Sequence, residues 1–572
     1  MQGGGIYCTG CTSGLRIANN TAACNVASAS NCGGIYLLNS SPVVTRNIIR
    51  FNDPSNMDIA KSGGTPTLSN NCIYYYSGLS AGTGDFNSNP ALVARTYGNM
   101  HIQSGSPCLD KVDYTPAAAE ADIDGEPRRL GTLVDVGSDE WDGVKQWPIN
   151  TPYLTIRVSP DGDDANDGSD WDYAKRTIQM AVYAAAKEGG QVWVKGSPSG
   201  IVYNEHITLI AGVQLYGGFT GTESSINERV LNYQEDCKSI LDGQGSGNVI
   251  TINSIIINGI VHIDGFTIRN GTHGIYTKAG EVDVCYCVVR DNTVCGIRCY
   301  DPGYISVYNN LIVYNHIGVK FEPSTKGLIS GNNISYNDTG ISCDTTGNPL
   351  TISCNIIDHN GLSVNGGHGI DCYNSSITID RNWIANNICN GASYNGGGIS
   401  CNNNGGGKPL IYNNVIKGNS ANNGGGIFLN DSDPNIYNNT IVNNSCNSYG
   451  AGIYFKSIFS SKTATIANNI VAFNTGGYGA YKSGSTGIVT LISNCFYDNG
   501  PDNYSSNLSH PSDYIGNPYL ATDGVHLTAS SITACIDKGD NGYVYASGDI
   551  DNGGNRTINI IVDRGADEYG SP

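Results

Sequence analysis

Two basic side chains stand at equivalent positions of neighbouring repeats in this 572-residue chain. Arg298 follows a Gly-Ile dipeptide, and Lys320 follows a Gly-Val dipeptide in the next repeat. Asp371 has the same place two repeats further on. Stacked repeats would bring the two cations side by side, where repulsion disfavours the charged lysine and so suits it to act as a general base. The pattern predicts a catalytic group of Lys320, Arg298 and Asp371, an anion-binding pair of Arg298 and Lys320, or solvated surface cations.

Four aspartates near the start of the chain's second quarter are candidate metal ligands. They lie in one short stretch and comprise Asp161, Asp163, Asp164 and Asp167. Calcium prefers such carboxylate oxygens, but an EF-hand register fails because Ala165 and Ala174 occupy ligand positions. The same residue type also caps backbone N–H groups in Asx turns. The stretch therefore predicts either a calcium site or a capped loop, and calcium is the one cofactor that the sequence suggests.

The charge balance narrows the possible partners. Thirty-one Lys and Arg against 50 Asp and Glu give a net charge of −19. Such a chain repels phosphate backbones and anionic lipid, so nucleic acid is not an expected partner. No apolar run reaches the length of about 18 residues that a membrane span needs. The first residues carry neither a basic segment nor an apolar core, so no signal peptide is expected in this chain. We expect Met1 to be a start within a longer, multi-module protein, because the first of the two modules described below lacks its front.

Short repeats organise the chain from about residue 265 onward. Each repeat runs through an Asn, a short apolar run, a second Asn and a glycine followed in most repeats by Ile. Three short strands fit into such a length, whereas a four-stranded propeller blade does not. An asparagine at a fixed turn position tolerates left-handed geometry and can bond its equivalent one turn along. The repeats predict an all-β fold, a right-handed parallel β-helix or solenoid.

One column of apolar or small residues, on the strand that follows each repeat glycine, is predicted to point inward. This column includes Cys299, Cys343, Cys372 and Cys401. We expect these four thiols to be buried and reduced, because neighbouring turns of a parallel helix keep their Cα–Cβ bonds parallel. The sequence leaves open whether others of the 19 cysteines form disulfides.

The C-terminal end of the chain has a counterpart near its start. The stretch V134-D-V-G-S-D-E140 matches V562-D-R-G-A-D-E568, and Cys108 matches Cys535, at a nearly constant offset. This duplication predicts two tandem modules. Residues 1–143 form the C-terminal part of a first β-helix that lacks its front, 144–154 a linker, and 155–572 a complete second β-helix. The second module is expected to open with a capping helix at about 173–187 and to end in a closing segment at about 514–570.

Several motifs together resemble those of a known family. The opening V158-S-P-D-G-D-D-A-N-D-G, the stretch Y216-G-G-F-T-G-T-E and the Asn/Gly-Ile repeats are similar to bacterial right-handed β-helix proteins of the pectin-lyase-like superfamily. The repeats also resemble those of polymorphic outer-membrane adhesins. The superfamily contains lyases, hydrolases and adhesins, so the resemblance implies the fold and leaves the function to the site.

Two functions fit these observations. The first is a secreted or cell-surface scaffold that binds a polysaccharide, a cell-surface glycan or a neighbouring surface, as an adhesin or structural protein. The alternative is a polysaccharide lyase that cleaves an anionic, uronate-containing glycan by β-elimination, as pectate lyases do. Uniform Asn- and Gly-rich turns favour the scaffold, whereas a groove flanked by long loops would favour the enzyme.

Overall fold

The computed structural model describes most of the chain between residues 5 and 569. The described residues are 5–23, 25, 32–52, 57–94, 99–102, 104–123, 125–141, 155–186, 190–210, 212–229, 238–252, 260–278, 280–300, 303–323, 325–344, 350–361, 367–389, 391, 395–402, 408–456, 461–484, 487–508, 511–544, 548–550 and 561–569.

Three long parallel sheets form the body of the structure from residue 155 onward, with 13, 13 and 11 strands. Sheet A contains Thr155–Val158, Gln191–Lys195, Gln214–Phe219, Val261–Asp264, Glu281–Cys285, Tyr304–Tyr308, Lys326–Ser330, Leu350–Ser353, Thr378–Asp380, Leu410–Tyr412, Asn435–Tyr437, Thr463–Ala467 and Ile488–Ile492. Sheet B contains Ile201–Tyr203, Ser239–Asp242, Phe266–Arg269, Val288–Arg290, Leu311–Val313, Asn333–Ser335, Ile356–Asp358, Trp383–Ala385, Val415–Lys417, Thr440–Val442, Ile470–Ala472, Cys495–Tyr497 and Tyr514–Ile515. Sheet C contains Ile207–Leu209, Asn248–Ile252, His273–Thr277, Cys295–Cys299, Ile317–Phe321, Thr339–Asp344, Ile370–Tyr373, Ile399–Asn402, Ile427–Asn430, Ile453–Lys456 and Ala480–Ser483.

The remaining elements are shorter. Sheet D, a three-stranded sheet beside sheet C, contains Ile388–Cys389, Ser420–Asn423 and Ser445–Tyr449. The strands before residue 103 form separate sheets: Ile6–Thr9, Ile35–Leu38, Ile59–Ser62 and Tyr76–Ser77; Arg16–Ala18, Val43–Thr45 and Thr67–Ser69; Thr21–Ala23, Ile48–Arg50 and Cys72–Ile73; and the antiparallel pair Leu92–Ala94 and Asn99–Ile102. Within the described residues the helices are the α-helix Ile178–Ala185 and the 3₁₀ turns Ile226–Glu228, Ala529–Thr533 and Asn541–Tyr543. Among the described residues, no helix is long and apolar enough to span a membrane.

From Gln191–Lys195 to Ala480–Ser483 the chain visits sheets A, B and C in turn, so each circuit adds one rung to each of the three sheets. Side chains alternate along each strand, and the inward ones are mostly Ile and Val with no exposed surface. They form one continuous apolar core from Ile156 to Leu508. The chain is therefore an all-β, right-handed parallel β-helix, as the repeats predicted.

Two ladders of buried asparagines run along the corners between the sheets. At the corner between B and C, the Asn315 Nδ2 amide donates to Asn337 Oδ1 at 3.1 Å and to the Val289 carbonyl at 3.0 Å. The Asn337 amide then donates to Asn360 Oδ1 at 3.1 Å. Equivalent bonds join the whole series: Asn292, Asn315, Asn337, Asn360, Asn387, Asn419, Asn444, Asn474 and Asn499 at this corner, and Asn310, Asn332, Asn355, Asn382, Asn414, Asn439, Asn469 and Asn494 at the corner between A and B. The predicted amide ladder is confirmed.

The left-handed residue at these corners is not the ladder asparagine, contrary to the sequence expectation. It is the residue immediately before, which is Tyr336 (φ 55°) ahead of Asn337 and Asn443 (φ 55°) ahead of Asn444. The ladder asparagine instead uses its side chain to satisfy backbone groups that the corner leaves unpaired. Two adjacent residues thus share the corner. The left-handed residue turns the chain, and the asparagine that follows it forms hydrogen bonds with the unpaired backbone groups.

The capping helix spans Ile178–Ala185 and so begins later than the predicted start at about Tyr173. Lys175 still pairs with the first strand of sheet A, because its N–H donates to the Arg157 carbonyl at 2.9 Å. The helix begins after Thr177, whose side chain accepts the Met180 N–H. Its buried face packs against the first strands of sheets A and C, as a cap on the open end of the core. Residue 187, the predicted end, lies outside the described residues.

The closing segments at the two ends of the duplication make matching contacts. In each, an aspartate accepts two backbone N–H groups and a glutamate accepts the N–H of that aspartate. The equivalent groups are Asp135 with Asp110, Trp141 and Glu140, and Asp563 with Asp537, Tyr569 and Glu568. The predicted linker at 144–154 lies outside the described residues, and the division into two modules stays a prediction.

The cysteine column of sheet C is inward and unbonded, as predicted. Cys343, Cys372 and Cys401 are in register on neighbouring strands and are 1%, 2% and 1% exposed. Cys299 is also buried, and all four are free thiols. These four thiols therefore pack in the core of the β-helix as small hydrophobic side chains.

We expect Asn337→Ala to lower the free energy of unfolding by at least about 2 kcal/mol, since it removes the acceptor of the buried Asn315 N–H and the donor to the Ile312 carbonyl. The matched control is Asn333→Ala. Its side chain is half-buried and accepts only from the Ser335 hydroxyl in the described hydrogen bonds, so we expect a change of about 0.5 kcal/mol or less. Urea unfolding measures both. Equal effects would contradict a structural role for the ladder.

Native thiol labelling followed by peptide mapping is expected to leave Cys299, Cys343, Cys372 and Cys401 unmodified, while the half-exposed Cys11 and Cys354 react first. Burial raises the pKa of Cys299 well above its usual value, which removes the reactive thiolate as well as access. Rapid labelling of the four core thiols in folded protein would show that the column is not inward.

Candidate functional site

The outward face of sheet C carries the predicted site residues in one column. Tyr276 pairs with Arg298, Arg298 with Lys320, Lys320 with Ser342, and Ser342 with Asp371 on successive strands. All five side chains are partly exposed. We call this row the sheet C strip. Neighbouring rungs lie about 4.8 Å apart, so Arg298 and Lys320 are adjacent, whereas Asp371 is two rungs from Lys320.

A buried glutamate joins the two cations. The Arg298 Nη2 atom lies 2.8 Å from Glu322 Oε1, and Lys320 Nζ lies 3.3 Å from the same oxygen. The Glu322 side chain is 10% exposed, against 28% for Arg298 and 26% for Lys320. Arg298, Lys320 and Glu322 together therefore hold one surplus positive charge at the surface. We call these three residues, with His273, the charge cluster.

His273 completes the cluster as a neutral imidazole. Its Nε2 atom lies 3.3 Å from Arg298 Nη1, and because a guanidinium only donates, Nε2 is the acceptor. Burial and the charges of Arg298 and Lys320 lower the pKa of His273 to about 4. The ring stacks on Tyr276 with centroids 5.5 Å apart, and the Arg298 guanidinium lies 5.8 Å from the Tyr276 ring. Arg298 is thus held between an imidazole and a carboxylate.

Asp371 lies in a different environment from the two cations. Its Oδ1 atom is 3.9 Å from His368 Nε2, and His368 Nδ1 lies 2.7 Å from the Gly396 carbonyl. Burial lowers the pKa of His368, but the Asp371 carboxylate and the nearby Cys389 raise it by more, to about 9. The acid beside Lys320 is Glu322 instead. Sequence reasoning missed Glu322, although strand alternation in Lys320-Phe321-Glu322 puts the first and third residues on one face.

The acidic stretch before the helix is engaged with backbone groups. Asp164 Oδ1 accepts the N–H groups of Arg176 and Thr177 at 3.1 and 2.8 Å. Asp163 and Asp167 each accept a backbone N–H slightly further along the chain, and Asp161 lies 3.8 Å from Lys195 Nζ. These are the contacts of a capped loop that leads into the helix. Calcium at Asp161, Asp163, Asp164 and Asp167 stays a prediction.

Beyond Asp371 the outward face of sheet C is covered. The longer repeats supply sheet D, and the glycines that follow its strands, Gly424 and Gly450 among them, lie over the column. A Cβ on Gly450, which has φ 61°, would come within 2.7 Å of the Tyr454 Cβ. Phe428 and Tyr454 are consequently buried, and Tyr481 stacks on the exposed Tyr449 at 4.7 Å. The sheet C strip therefore ends where aromatic side chains and the glycines of the covering segments lie over the outward face.

Comparisons with known proteins give the following likenesses. A family model described as "Right handed beta helix region" matches residues 253–405. No curated protein matches the chain. Among solved structures, the A-module of the mannuronan C-5 epimerase AlgE6 from Azotobacter vinelandii is 15% identical, covers 59% of this chain and 93% of its own, and has a TM-score of 0.40. The pectate lyase Pel9A is 15% identical over 72% of this chain and 96% of its own, with a TM-score of 0.39.

A third solved structure is the tailspike protein gp49 from the Acinetobacter baumannii bacteriophage Fri1, a capsular polysaccharide depolymerase. It is 11% identical, covers 64% of this chain and 63% of its own, and has a TM-score of 0.27. The family model agrees with the sheet geometry that this chain is a right-handed parallel β-helix.

We expect the His273 side chain to contribute a loss of stability of up to about 3 kcal/mol as the pH falls from about 6.5 to about 4, a contribution that His273→Gln lacks. The pKa of folded His273 is about 4, below its ordinary value of 6.5, so within this window the unfolded chain binds the proton and the folded chain does not. Urea unfolding at several pH values, with the His273 ring titrated by NMR, measures the effect. Parallel pH profiles for the two proteins would contradict it.

Proposed function

We propose that the protein is a secreted or cell-surface scaffold that binds an anionic polysaccharide along the sheet C strip. The observation that carries the proposal is the charge cluster, in which Arg298 and Lys320 share the single carboxylate of Glu322. The surplus positive charge is a local exception on a chain with a net charge of −19. Such a site attracts the carboxylate of a uronate sugar, because the two have opposite charge.

Aromatic rings beside the charge cluster support the proposal that the bound carboxylate belongs to a sugar. Tyr276 and Tyr300 both lie near Arg298, with ring centroids 5.8 and 5.9 Å from the guanidinium carbon. Tyr300 is 43% exposed. Exposed aromatic faces pack on the apolar faces of sugar rings, while the neighbouring cations bind the carboxylates. The strip adds the hydroxyl of Ser342 and the carboxylate of Asp371 in line, which suits an extended polymer better than a compact ligand.

The contacts of Lys320 favour binding over β-elimination. A general base needs a free lone pair within reach of the proton that it removes. The Lys320 ammonium instead forms an ion pair with Glu322, and Arg298 is held between Glu322 and His273. These contacts fix the two cations as a binding pair. The lyase alternative predicts turnover, and the experiment below measures it directly.

The chemistry of the cysteines is compatible with a location outside the cell. In the described part of the chain 17 cysteines form no disulfide, and all but Cys11 and Cys354 are buried. Buried thiols are protected from oxidants by lack of access, so unbonded cysteines do not require a reducing compartment. Extended anionic polysaccharides are typical of cell surfaces and matrices, and the location is part of the same proposal.

We expect Lys320→Ala to weaken binding of an oligogalacturonate by about 1 kcal/mol, or roughly fivefold in Kd, and the loss to shrink at high salt. The control is Lys326→Ala, which removes an exposed lysine on sheet A, away from the strip, and should leave Kd unchanged. Titration calorimetry at two salt concentrations measures both.

The same mixtures are followed by ultraviolet absorbance, because β-elimination creates an unsaturated, absorbing sugar end. Binding without absorbance change supports the scaffold. Growth of absorbance that Lys320→Ala abolishes, with Kd largely preserved, would establish the lyase instead. Binding that is unaffected in Lys320→Ala and Arg298→Ala alike would exclude the strip as the glycan site.

A further inference from the structure

A second polar cluster lies on the outward face of sheet A, away from the sheet C strip. His262 and Asp264 come from the strand Val261–Asp264, and Asp283 and Cys285 from its neighbour Glu281–Cys285. The register pairs His262 with Asp283 and Asp264 with Cys285. The residues between them on each strand, Ile263 and Val284, are fully buried in the core, so strand alternation turns the four polar residues to the other face. The fold thus gathers four metal-ligating side chains from two rungs.

The side chains converge more closely than the register alone requires. The Cys285 Sγ atom lies 3.6 Å from His262 Nε2, and Asp264 Oδ2 lies 3.5 Å from the same nitrogen. One ligand atom from each of the three residues lies within 4.8 Å of the others, and among the described residues this is the one such group of His, Cys, Asp and Glu. Tetrahedral zinc bonds of about 2.3 Å to sulfur and about 2.0 Å to nitrogen or oxygen leave neighbouring ligand atoms roughly 3.3–3.6 Å apart.

We propose that His262 Nε2, Cys285 Sγ and Asp264 Oδ2 bind one zinc ion. The two distances are close to the edges of a zinc tetrahedron, and the 3.5 Å between Asp264 Oδ2 and His262 Nε2 is long for an N–H···O hydrogen bond. A set of one thiolate, one imidazole and one carboxylate suits Zn²⁺ better than calcium or magnesium, which prefer oxygen ligands alone. Three protein ligands leave the fourth position to water, as in zinc sites that are open to solvent.

A shell of fixed groups supports these ligands. The Arg229 guanidinium donates to both Asp264 oxygens, at 2.9 and 3.3 Å, and also to the Gly217 carbonyl. The Asp283 carboxylate lies 3.9 Å from His262 Nδ1, the ring nitrogen that the proposed zinc ion leaves unused. Metal-binding histidines characteristically have a carboxylate at their second nitrogen, which orients the ring.

The charge of the cluster also matches a divalent cation. In the zinc-bound state, with the thiol ionised and His262 neutral, Asp264, Asp283 and Cys285 contribute three negative charges and Arg229 contributes one positive charge. The remaining two negative charges lie in a place where the Asp264 and Arg229 side chains are 8% and 4% exposed. A bound Zn²⁺ would neutralise them. In the metal-free cluster burial lowers the pKa of His262, but Asp264 and Asp283 raise it by more, to about 11, so a protonated imidazole then supplies the balancing positive charge. The His262 side chain is 18% exposed, which leaves the site a route for the ion.

Cobalt substitution tests the proposal on the whole 572-residue chain after reduction and treatment with a chelator. Co²⁺ bound by a thiolate in a tetrahedral site absorbs in the near ultraviolet by charge transfer and in the visible region. We expect one equivalent of Co²⁺ to produce both absorptions and one equivalent of Zn²⁺ to abolish them. Cys285→Ser should lose the charge-transfer absorption, His262→Gln should weaken Co²⁺ binding at least tenfold, and Asp283→Asn about tenfold.

The matched control is Cys354→Ser. Cys354 follows another strand of sheet A, is half-exposed and lies near Asp380 and Arg381. Its removal should leave the cobalt spectrum unchanged, and circular dichroism confirms that each variant is folded. A wild-type protein without thiolate charge transfer would overturn the proposal and leave an internal ion-pair cluster. Charge transfer of equal strength in folded Cys285→Ser would overturn it too, by placing the metal on another thiol.

Discussion

The fold depends on two ladders of asparagine amides. Within each ladder the amides donate to the equivalent residue of the next turn and to a backbone carbonyl of the preceding turn, as Asn337 does with Asn360 and Ile312. Several, Asn337 among them, also donate to a carbonyl of their own turn. A corner of the solenoid leaves backbone groups unpaired inside the protein, where each lost hydrogen bond would cost about 1–3 kcal/mol. The amide satisfies them and at the same time fixes the axial register between turns. The same register decides which side chains are neighbours in every column along the sheets.

Register converts distant sequence positions into neighbours. Arg298 and Lys320 belong to different repeats, yet they pair directly across two strands of sheet C. His262 and Asp283 are likewise separated by a full turn and pair across sheet A. Because the strands that carry them are hydrogen-bonded on both sides, the side chains stand on a rigid surface and little entropy is lost when a ligand binds. The two clusters face outward on different sheets, so each can act without the other.

The described parts of the insertions that lengthen the later repeats form a layer on one face of the solenoid. They form sheet D, which covers Phe428 and Tyr454 and leaves the strip open from Tyr276 to Asp371. A long, shallow, mixed polar and aromatic surface suits an extended chain molecule. Catalysis on such a surface would need a base free of ion pairs, and the two cations of the strip are both paired with Glu322.

The sequence alone determined the solenoid, the inward cysteine column and the side-by-side position of Arg298 and Lys320. These depend on periodicity, since a repeat of fixed pattern that cannot bury its apolar face alone must stack on its neighbours. Only the tertiary structure decided which side chains meet at the surface. Glu322 contacts both cations, and Cys285 reaches His262, because rotamers and covering segments choose among several partners at similar distance. Periodicity specifies the rung and the face of a residue, but contacts between side chains depend on packing that no repeat encodes.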